Sequence, residues 1–171
     1  MQMVKKILIA LVLIWFAFIV LMPKQEIYYK LEKVLEKSEI KINEQKIDEG
    51  LFTLTLHNAD IYVKGIKLAT VEKVNFFTLL FYSNVNLDDL VLDDSLKSMA
   101  PTDIQNASAS HIIVNPLSVS LSADGGFGSM DGYVKLADKT LRVDFNDSIG
   151  VKMLQPKLKQ DEKGWYYETS F

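Results

Sequence analysis

The sequence predicts a mainly β protein: an N-terminal single transmembrane helix, a short amphipathic helix, and then a one-sided antiparallel β-sheet. Three observations support this fold class. A charge-free apolar run lies near the N-terminus, a segment with apolar residues at helical spacing follows it, and apolar and polar residues alternate from Ile40 onward. Because such a sheet must cover its apolar face, we expect a curved sheet, a gutter or a sandwich.

The apolar run extends from Ile7 to Met22, behind Lys5-Lys6 and before Pro23. As a helix it would be about 24 Å long, short of a hydrocarbon core of roughly 30 Å, although lysine stems can lengthen the span. We predict that residues 1–23 form a cytoplasmic tip and a transmembrane anchor. The residues expected to anchor it are Ile7, Leu11, Ile14, Trp15, Phe18 and Leu21.

A cleavable secretory signal is the alternative interpretation of this run. Residues 18–23 (FIVLMP) lack the small residues of a cleavage site, which favours an uncleaved anchor. The basic pair before the run favours a cytoplasmic N-terminus, with the rest of the chain exported. Many lysines beside a single arginine, Arg142, are typical of an AT-rich bacterial genome. The expected location is the bacterial inner membrane, single pass, with a periplasmic C-terminal domain.

Residues 24–38 are predicted to form a membrane-proximal helix. Ile27, Leu31, Val34 and Leu35 recur at helical spacing, with charges on the opposite face. Tyr28 and its neighbour Tyr29 would lie near the membrane boundary. The apolar stripe is expected to pack on the sheet, and binding to a membrane surface is the alternative.

Residues 39–171 are predicted to form one exported β-rich domain. Alternation is clearest in residues 52–56, 61–68, 85–92, 117–121 and 141–145. Turn signals occur at residues 58–60, 64–65, 124–126, 137–139 and 163–164. A change of phase near Asp88-Asp89 predicts a bulge or bend. The aromatic segment at residues 76–82 is expected to form a helical turn or a capping loop over the core, and a surface that contacts a membrane or a partner is the alternative.

Composition excludes several classes of site. The chain has no cysteine, so it can form neither disulfides nor thiolate metal sites. A formal net charge of -3 argues against nucleic acid binding, which favours a basic surface. No serine lies in a nucleophile elbow, and the glycines of residues 125–128 lack the lysine of a phosphate loop.

The titratable residues do not form a catalytic pattern either. His57 and His111 have no acid at a ligand-like spacing, so we interpret both as half-buried strand residues. Asp88-Asp89 and Asp93-Asp94 are the types of residue that bind a hard cation, but solvated turns explain them more simply. We therefore predict a protein that is not an enzyme and has no catalytic residue, cofactor or metal.

Several phrases resemble the protein N family of bacterial type II (general) secretion systems. They are residues 23–32 (PKQEIYYKLE) behind the apolar run, 50–54 (GLFTL) and 58–69 (NADIYVKGIKLA). Residues 124–128 (DGGFG) and 130–134 (MDGYV) also resemble phrases of AsmA-like proteins. The first resemblance implies an inner-membrane protein whose β-rich domain serves a secretion or envelope machine. The second implies a curved sheet whose apolar face shields lipid chains.

The expected function is that of a non-catalytic component of an envelope-spanning machine, either type II secretion-like or a pilus or flagellar-motor accessory scaffold. The alternative is an AsmA-like lipid-binding module. Expected partners are the lipid bilayer, other inner-membrane or periplasmic subunits, and lipid.

The C-terminal segment is the candidate partner strand. Trp165, Tyr167, Thr169 and Phe171 share one face of a predicted last strand. This strand either packs its aromatic residues into the core or pairs with a partner protein.

Overall fold

The computed structural model describes residues 2–79, 81–96, 103–146, 151, 154–162 and 164–171. The helices are α1 (Gln2–Leu21) and α2 (Lys24–Lys37). The strands are β1 (Ile40–Asn43), β2 (Lys46–Glu49), β3 (Thr53–Val63), β4 (Ile66–Leu79), β5 (Tyr82–Leu92), β6 (Asp103–Ile112), β7 (Ser118–Gly125), β8 (Gly128–Lys135), β9 (Thr140–Phe145), β10 (Lys159–Asp161) and β11 (Gly164–Ser170).

All strands of the described part of the chain join one antiparallel sheet, in the order β1-β3-β4-β5-β6-β7-β8-β9-β11-β10. β2 also pairs with β3, so β1 and β2 lie one after the other along the same edge. From β3 to β9 each strand pairs with the next along the chain, because short connections favour antiparallel neighbours. The mainly β prediction is confirmed, since 55% of the described residues are in strands of one large antiparallel sheet.

The predicted transmembrane anchor is corrected. Among the residues that the structure describes, no helix is long and apolar enough to cross a membrane. This finding overturns the anchor at residues 1–23 and the single-pass inner-membrane location. A physical reason is length, because the uncharged run of about 24 Å is shorter than a hydrocarbon core. Its aromatic residues instead reach the sheet: the Trp15 and Phe81 ring centroids lie 5.6 Å apart.

Two rows of directly opposed residues give the sheet its apolar face. The first row is Ile47, Leu56, Val74, Leu87, Ala107, Ala123, Met130, Phe145 and Trp165. The second is Leu54, Phe76, Val85, Ala109, Leu121, Gly132, Val143 and Tyr167. Alternate residues carry polar groups to the opposite face, as the period of a strand requires.

A bend crosses the sheet from β3 to β6. Within these described strands the register passes over Asn58, Glu72, Asp89 and Gln105 without pairing them. Asn58 and Asp89 both have a φ of 50°, a backbone conformation that Asn and Asp tolerate better than most residues. The bend predicted at Asp88-Asp89 is thus confirmed, and it keeps the apolar face continuous where simple alternation would reverse it.

Two local predictions were wrong. The aromatic segment at residues 76–82 extends β4 to Leu79 and begins β5 at Tyr82, because aromatic residues suit a pleated, half-buried surface. Leu80 lies outside the described residues. The turn predicted at residues 58–60 is an uninterrupted part of β3, where Asn58 bends the strand without ending it.

The buried residues form two clusters on the apolar face. The first contains Tyr28 of α2 together with residues of β3 and β4, namely Leu54, Leu56, Ala59, Val71 and Val74. The second contains Ala123, Phe127 and Val151, with Trp165 packed against it. The first cluster fixes the position of α2 and thereby shapes the candidate site.

Candidate apolar ligand site

An apolar cavity of about 170 Å³ lies between α2 and the sheet. We call it the α2 cavity. The residues that line it are Met22, Lys24, Ile27, Tyr28, Leu31, Phe52, Leu54, Phe76 and Thr78. An apolar cavity of similar size, roughly 150 Å³, holds a six-carbon ring in another protein. The α2 cavity therefore has room for a short apolar segment of a ligand.

The wall contributed by α2 remains accessible to solvent. Ile27 and Leu31 are 41% and 45% exposed although both line the cavity. Tyr28, between them in sequence, is only 3% exposed. The predicted apolar stripe thus does not seal against the sheet, and the predicted place of Tyr28 near a membrane boundary is wrong. Its ring instead packs among residues of β3 and β4.

Lys24 places a positive charge at the cavity wall. Its side chain is 13% exposed, and its Nζ lies 3.7 Å from Oε1 of Glu49. This N–O separation exceeds normal hydrogen-bond length. An ammonium group carries three N–H donors, so the contact with Glu49 does not use all of them. The same carboxylate oxygen accepts a 3.4 Å hydrogen bond from the Lys24 backbone N–H. Lys24 therefore retains the capacity to bind a further anionic group.

Tyr28 links the cavity to the β1–β2 connection. Its hydroxyl donates a 2.7 Å hydrogen bond to Oε2 of Glu44. Burial raises the pKa of Tyr28 above its ordinary value, and the bond to Glu44 raises it further. Burial likewise raises the pKa of Glu32, assisted by the charges of Glu44 and Glu36. The hydroxyl of Tyr28 thus stays protonated and serves as a structural donor.

The opposite face of the sheet carries a polar groove. It has a volume of about 500 Å³ and is lined by Lys73, Asn75, Asn86, Asp88, Asn106, Ala107, Ser108, Ser122, Ala123 and Asp124. Hydrogen bonds connect several opposed side chains on this face, as between Ser108 Oγ and Ser122 Oγ at 2.8 Å. Such bonds occupy groups that would otherwise bind a ligand.

The two histidines lie on separate strands. His57 Nε2 lies 3.1 Å from Asp48 Oδ2, a contact created by the pairing of β2 with β3. Sequence spacing missed this acid, and only the register reveals it. His111 Nε2 lies 3.2 Å from the carbonyl oxygen of Pro116. Across the described ranges, no group of three or more His, Cys, Asp or Glu residues could hold a metal ion.

The two acidic pairs, Asp88-Asp89 and Asp93-Asp94, occupy different environments. Asp88 lines the polar groove, whereas Asp89 is exposed at the bend. Asp93 Oδ1 accepts a 2.8 Å hydrogen bond from Ser95 Oγ. Asp88, Asp89 and Asp93 thus have different surroundings.

Of the residues predicted as a partner strand, Trp165, Tyr167 and Thr169 lie in β11, and Phe171 directly follows it. Trp165 packs against the second cluster, whereas Tyr167 and Phe171 are 39% and 66% exposed. β9 pairs with residues 165–170 of β11, but β10 pairs only with residues 164–166. Beyond Tyr166, no described strand covers the outer side of β11.

The residues predicted as a membrane anchor all lie in α1 and are exposed. The structure brings two aromatic residues of this helix to the sheet. Trp15 contacts Phe81, and the ring centroids of Phe16 and Phe52 lie 5.8 Å apart. Since Phe52 also lines the α2 cavity, α1 lies next to the candidate site.

Comparison with known proteins adds no family to these observations. The resemblances to secretion protein N and to AsmA-like proteins stay predictions. No protein-family model, no curated protein and no solved structure matches the chain.

Proposed function

We propose that the protein is a non-catalytic lipid-binding module that takes single-chain anionic lipids such as fatty acids. The observation that carries this proposal is the α2 cavity, an accessible apolar pocket with a lysine at its wall. Its interior suits an alkyl chain, because burial of each methylene contributes about 0.8 kcal/mol. Lys24 suits a carboxylate or a similar anionic group.

The sheet offers a route for a chain longer than the cavity. Leu54 and Phe76 line the cavity and also begin the second apolar row, which continues through Val85 and Ala109. Val85 and Ala109 are half-buried. A chain that extends along this row would cover more apolar surface. Affinity should therefore rise with chain length.

The direct test is a titration of the full-length protein with cis-parinaric acid, a fluorescent fatty acid. We expect saturable binding and displacement by dodecanoate, with weaker displacement by dodecyltrimethylammonium, whose head group is cationic. Lys24→Met keeps the apolar stem but removes the charge, and should weaken parinarate binding about tenfold, since a charge-assisted contact contributes about 1.5–3 kcal/mol.

Lys33→Met is the matched control, because Lys33 is exposed on the same helix and is not among the residues lining the cavity. Absence of saturable binding would reject the proposal. Equal affinities in the two variants would reject the role of Lys24 and leave an uncharged apolar site.

A second candidate function rests on the uncovered side of β11. A partner protein can add a strand to a free sheet edge, the mode expected of a scaffold subunit. The pairing of β10 with only residues 164–166 favours this candidate. Cross-links from a co-purifying, stoichiometric protein should then map to residues 167–170. Cross-links confined to other parts of the chain would contradict it.

A further inference from the structure

One end of the sheet carries exposed apolar side chains on successive connections. We call it the apolar end, and it comprises the β2–β3, β4–β5, β6–β7 and β8–β9 connections and the C-terminal residue. Its exposed apolar residues are Leu51, Phe81, Ile113, Val114, Leu117, Leu136 and Phe171. Each is between 46% and 87% exposed. In an antiparallel meander alternate connections lie at the same end, which brings these separate residues together.

The opposite end of the sheet differs in character. Its described connections carry charged residues, including Lys64, Asp93 and Asp94, and Ile66 is the large apolar residue exposed in the β3–β4 hairpin. Single exposed apolar residues are ordinary on protein surfaces, whereas a grouped set marks an interaction site. The grouping at one end therefore indicates an interaction surface.

The helix α1 adjoins the apolar end. Trp15 contacts Phe81 of the β4–β5 connection, and Phe16 contacts Phe52 of the β2–β3 connection. The carbonyl oxygen of Phe52 accepts a 2.9 Å hydrogen bond from the N–H of Thr78. Phe52 and Thr78 both line the α2 cavity. The exposed apolar surface thus reaches the mouth of the candidate ligand site.

We infer that the apolar end docks on the surface of an anionic lipid layer. From β3 to β9 the connections are spread over roughly 29 Å, at about 4.8 Å per strand. A fluid acyl layer accepts such separate, protruding tips, whereas a protein partner would need a matching set of pockets. This contact requires only shallow insertion of side chains and no segment that crosses the layer.

The charges around the apolar end favour anionic head groups. The β8–β9 hairpin carries Lys135 and Lys139 beside Asp138, a net positive charge next to Leu136. Basic residues close to an anionic lipid surface each contribute to binding and lose that contribution in high salt.

The absence of cysteine from the chain permits a direct test by site-specific labelling. Val114→Cys and Leu136→Cys place a single thiol at the apolar end, and Ile66→Cys places one at the opposite end. Each full-length variant would carry an NBD label and be mixed with vesicles of phosphatidylcholine and phosphatidylglycerol at 3:1. We expect a blue shift and quenching by doxyl-labelled lipid at the first two positions, and neither at Ile66.

Three results would overturn the inference. The first is no spectral change at Val114 and Leu136, and the second is an equal change at all three positions. The third is a blue shift that needs no vesicles and rises with protein concentration, which would identify a second copy of the chain as the occupant. As an independent measure, Val114→Asp combined with Leu117→Asp should lower vesicle partitioning at least about tenfold, whereas Ile66→Asp should leave it unchanged.

Discussion

The hydroxyl of Tyr28 donates a 2.7 Å hydrogen bond to Oε2 of Glu44, and this bond joins α2 to the edge of the sheet. The ring of Tyr28 is buried among Leu54, Leu56 and their neighbours, whereas Glu44 lies between β1 and β2. One side chain thus supplies both the apolar and the polar attachment of α2. The shape of the α2 cavity depends on this attachment.

Tyr28→Phe should lower the free energy of unfolding by about 1–2 kcal/mol, because it removes a hydrogen bond to a partly buried carboxylate while keeping the ring. Urea unfolding followed by circular dichroism measures the change. Tyr29→Phe is the matched control, since Tyr29 is 45% exposed and should change stability little. Equal effects of the two substitutions would show that the Glu44 bond does not hold α2.

Glu32→Gln should raise stability at neutral pH. Burial and the charges of Glu44 and Glu36 raise the pKa of Glu32 above its ordinary value of 4.5. The folded state therefore binds this proton more tightly, so stability falls as pH rises from about 4.5 through the raised pKa. Above that range the substitution should add about 0.2–0.5 kcal/mol, the size of like-charge repulsion one helical turn apart.

The measurement for Glu32 is the urea midpoint at several pH values between 4 and 8. Wild-type and Glu32→Gln curves should converge at the acidic end and separate toward neutral pH. Glu162→Gln, at an exposed position far along the chain, should follow the wild type throughout. Curves that separate only at the acidic end would contradict the direction of the pKa shift.

Asp60→Asn should reduce the loss of folding stability at acidic pH. Asp60 Oδ1 lies 2.7 Å from Lys67 Nζ and accepts a 2.9 Å hydrogen bond from Thr70 Oγ1. The bond from Lys67, followed by that from Thr70, holds the pKa of Asp60 below its ordinary value of 3.8. A lowered carboxyl pKa contributes stability above about pH 3.8, and this contribution disappears as pH falls through the folded pKa.

Measurements of the free energy of unfolding at decreasing pH would detect this loss. The wild type should lose stability below about pH 4 more steeply than Asp60→Asn, and Asp138→Asn in the exposed β8–β9 hairpin should behave like the wild type. Identical acid slopes for the wild type and Asp60→Asn would indicate that the Asp60–Lys67 pair does not contribute.

Arg142→Lys should loosen β10 selectively. The Arg142 guanidinium donates hydrogen bonds to Asp144 and, across β11, a 2.7 Å bond to Asp161 of β10. It also stacks 4.2 Å from the Tyr166 ring centroid. Lysine cannot reproduce the planar, forked arrangement of donors in a guanidinium group. Hydrogen exchange should therefore accelerate in residues 159–161 and change little in β7 and β8. Uniform acceleration across the sheet would contradict a local effect of Arg142 on β10.

The sequence predicted the strands well wherever alternation and a turn coincided. The hairpins at Lys64-Gly65 and at residues 137–139 and the bend at Asp89 required only local information. Asn58 misled the turn prediction because its polar side chain and positive φ are equally suited to a turn and to a bend within a strand.

The candidate site could not be predicted from the sequence for a different reason. Periodicity identified Ile27 and Leu31 as apolar positions of a helix, but it could not reveal that Tyr28 would be the buried contact. The proximity of Lys24 to Glu49 depends on the pairing of β2 with β3, and the apolar end depends on the whole meander. Such long-range arrangements follow from register, which local patterns do not specify.

The most direct test of the proposed lipid site compares two glutamine substitutions on α2. Leu31 lines the cavity and Val34 does not, and they are 45% and 58% exposed, so neither substitution places a polar group in the core. Leu31→Gln removes apolar wall without adding a charge and should weaken cis-parinaric acid binding about tenfold, whereas Val34→Gln should leave the dissociation constant within about twofold of wild type. Equal affinities for both variants, with both proteins folded, would contradict the assignment of the α2 cavity as the lipid site.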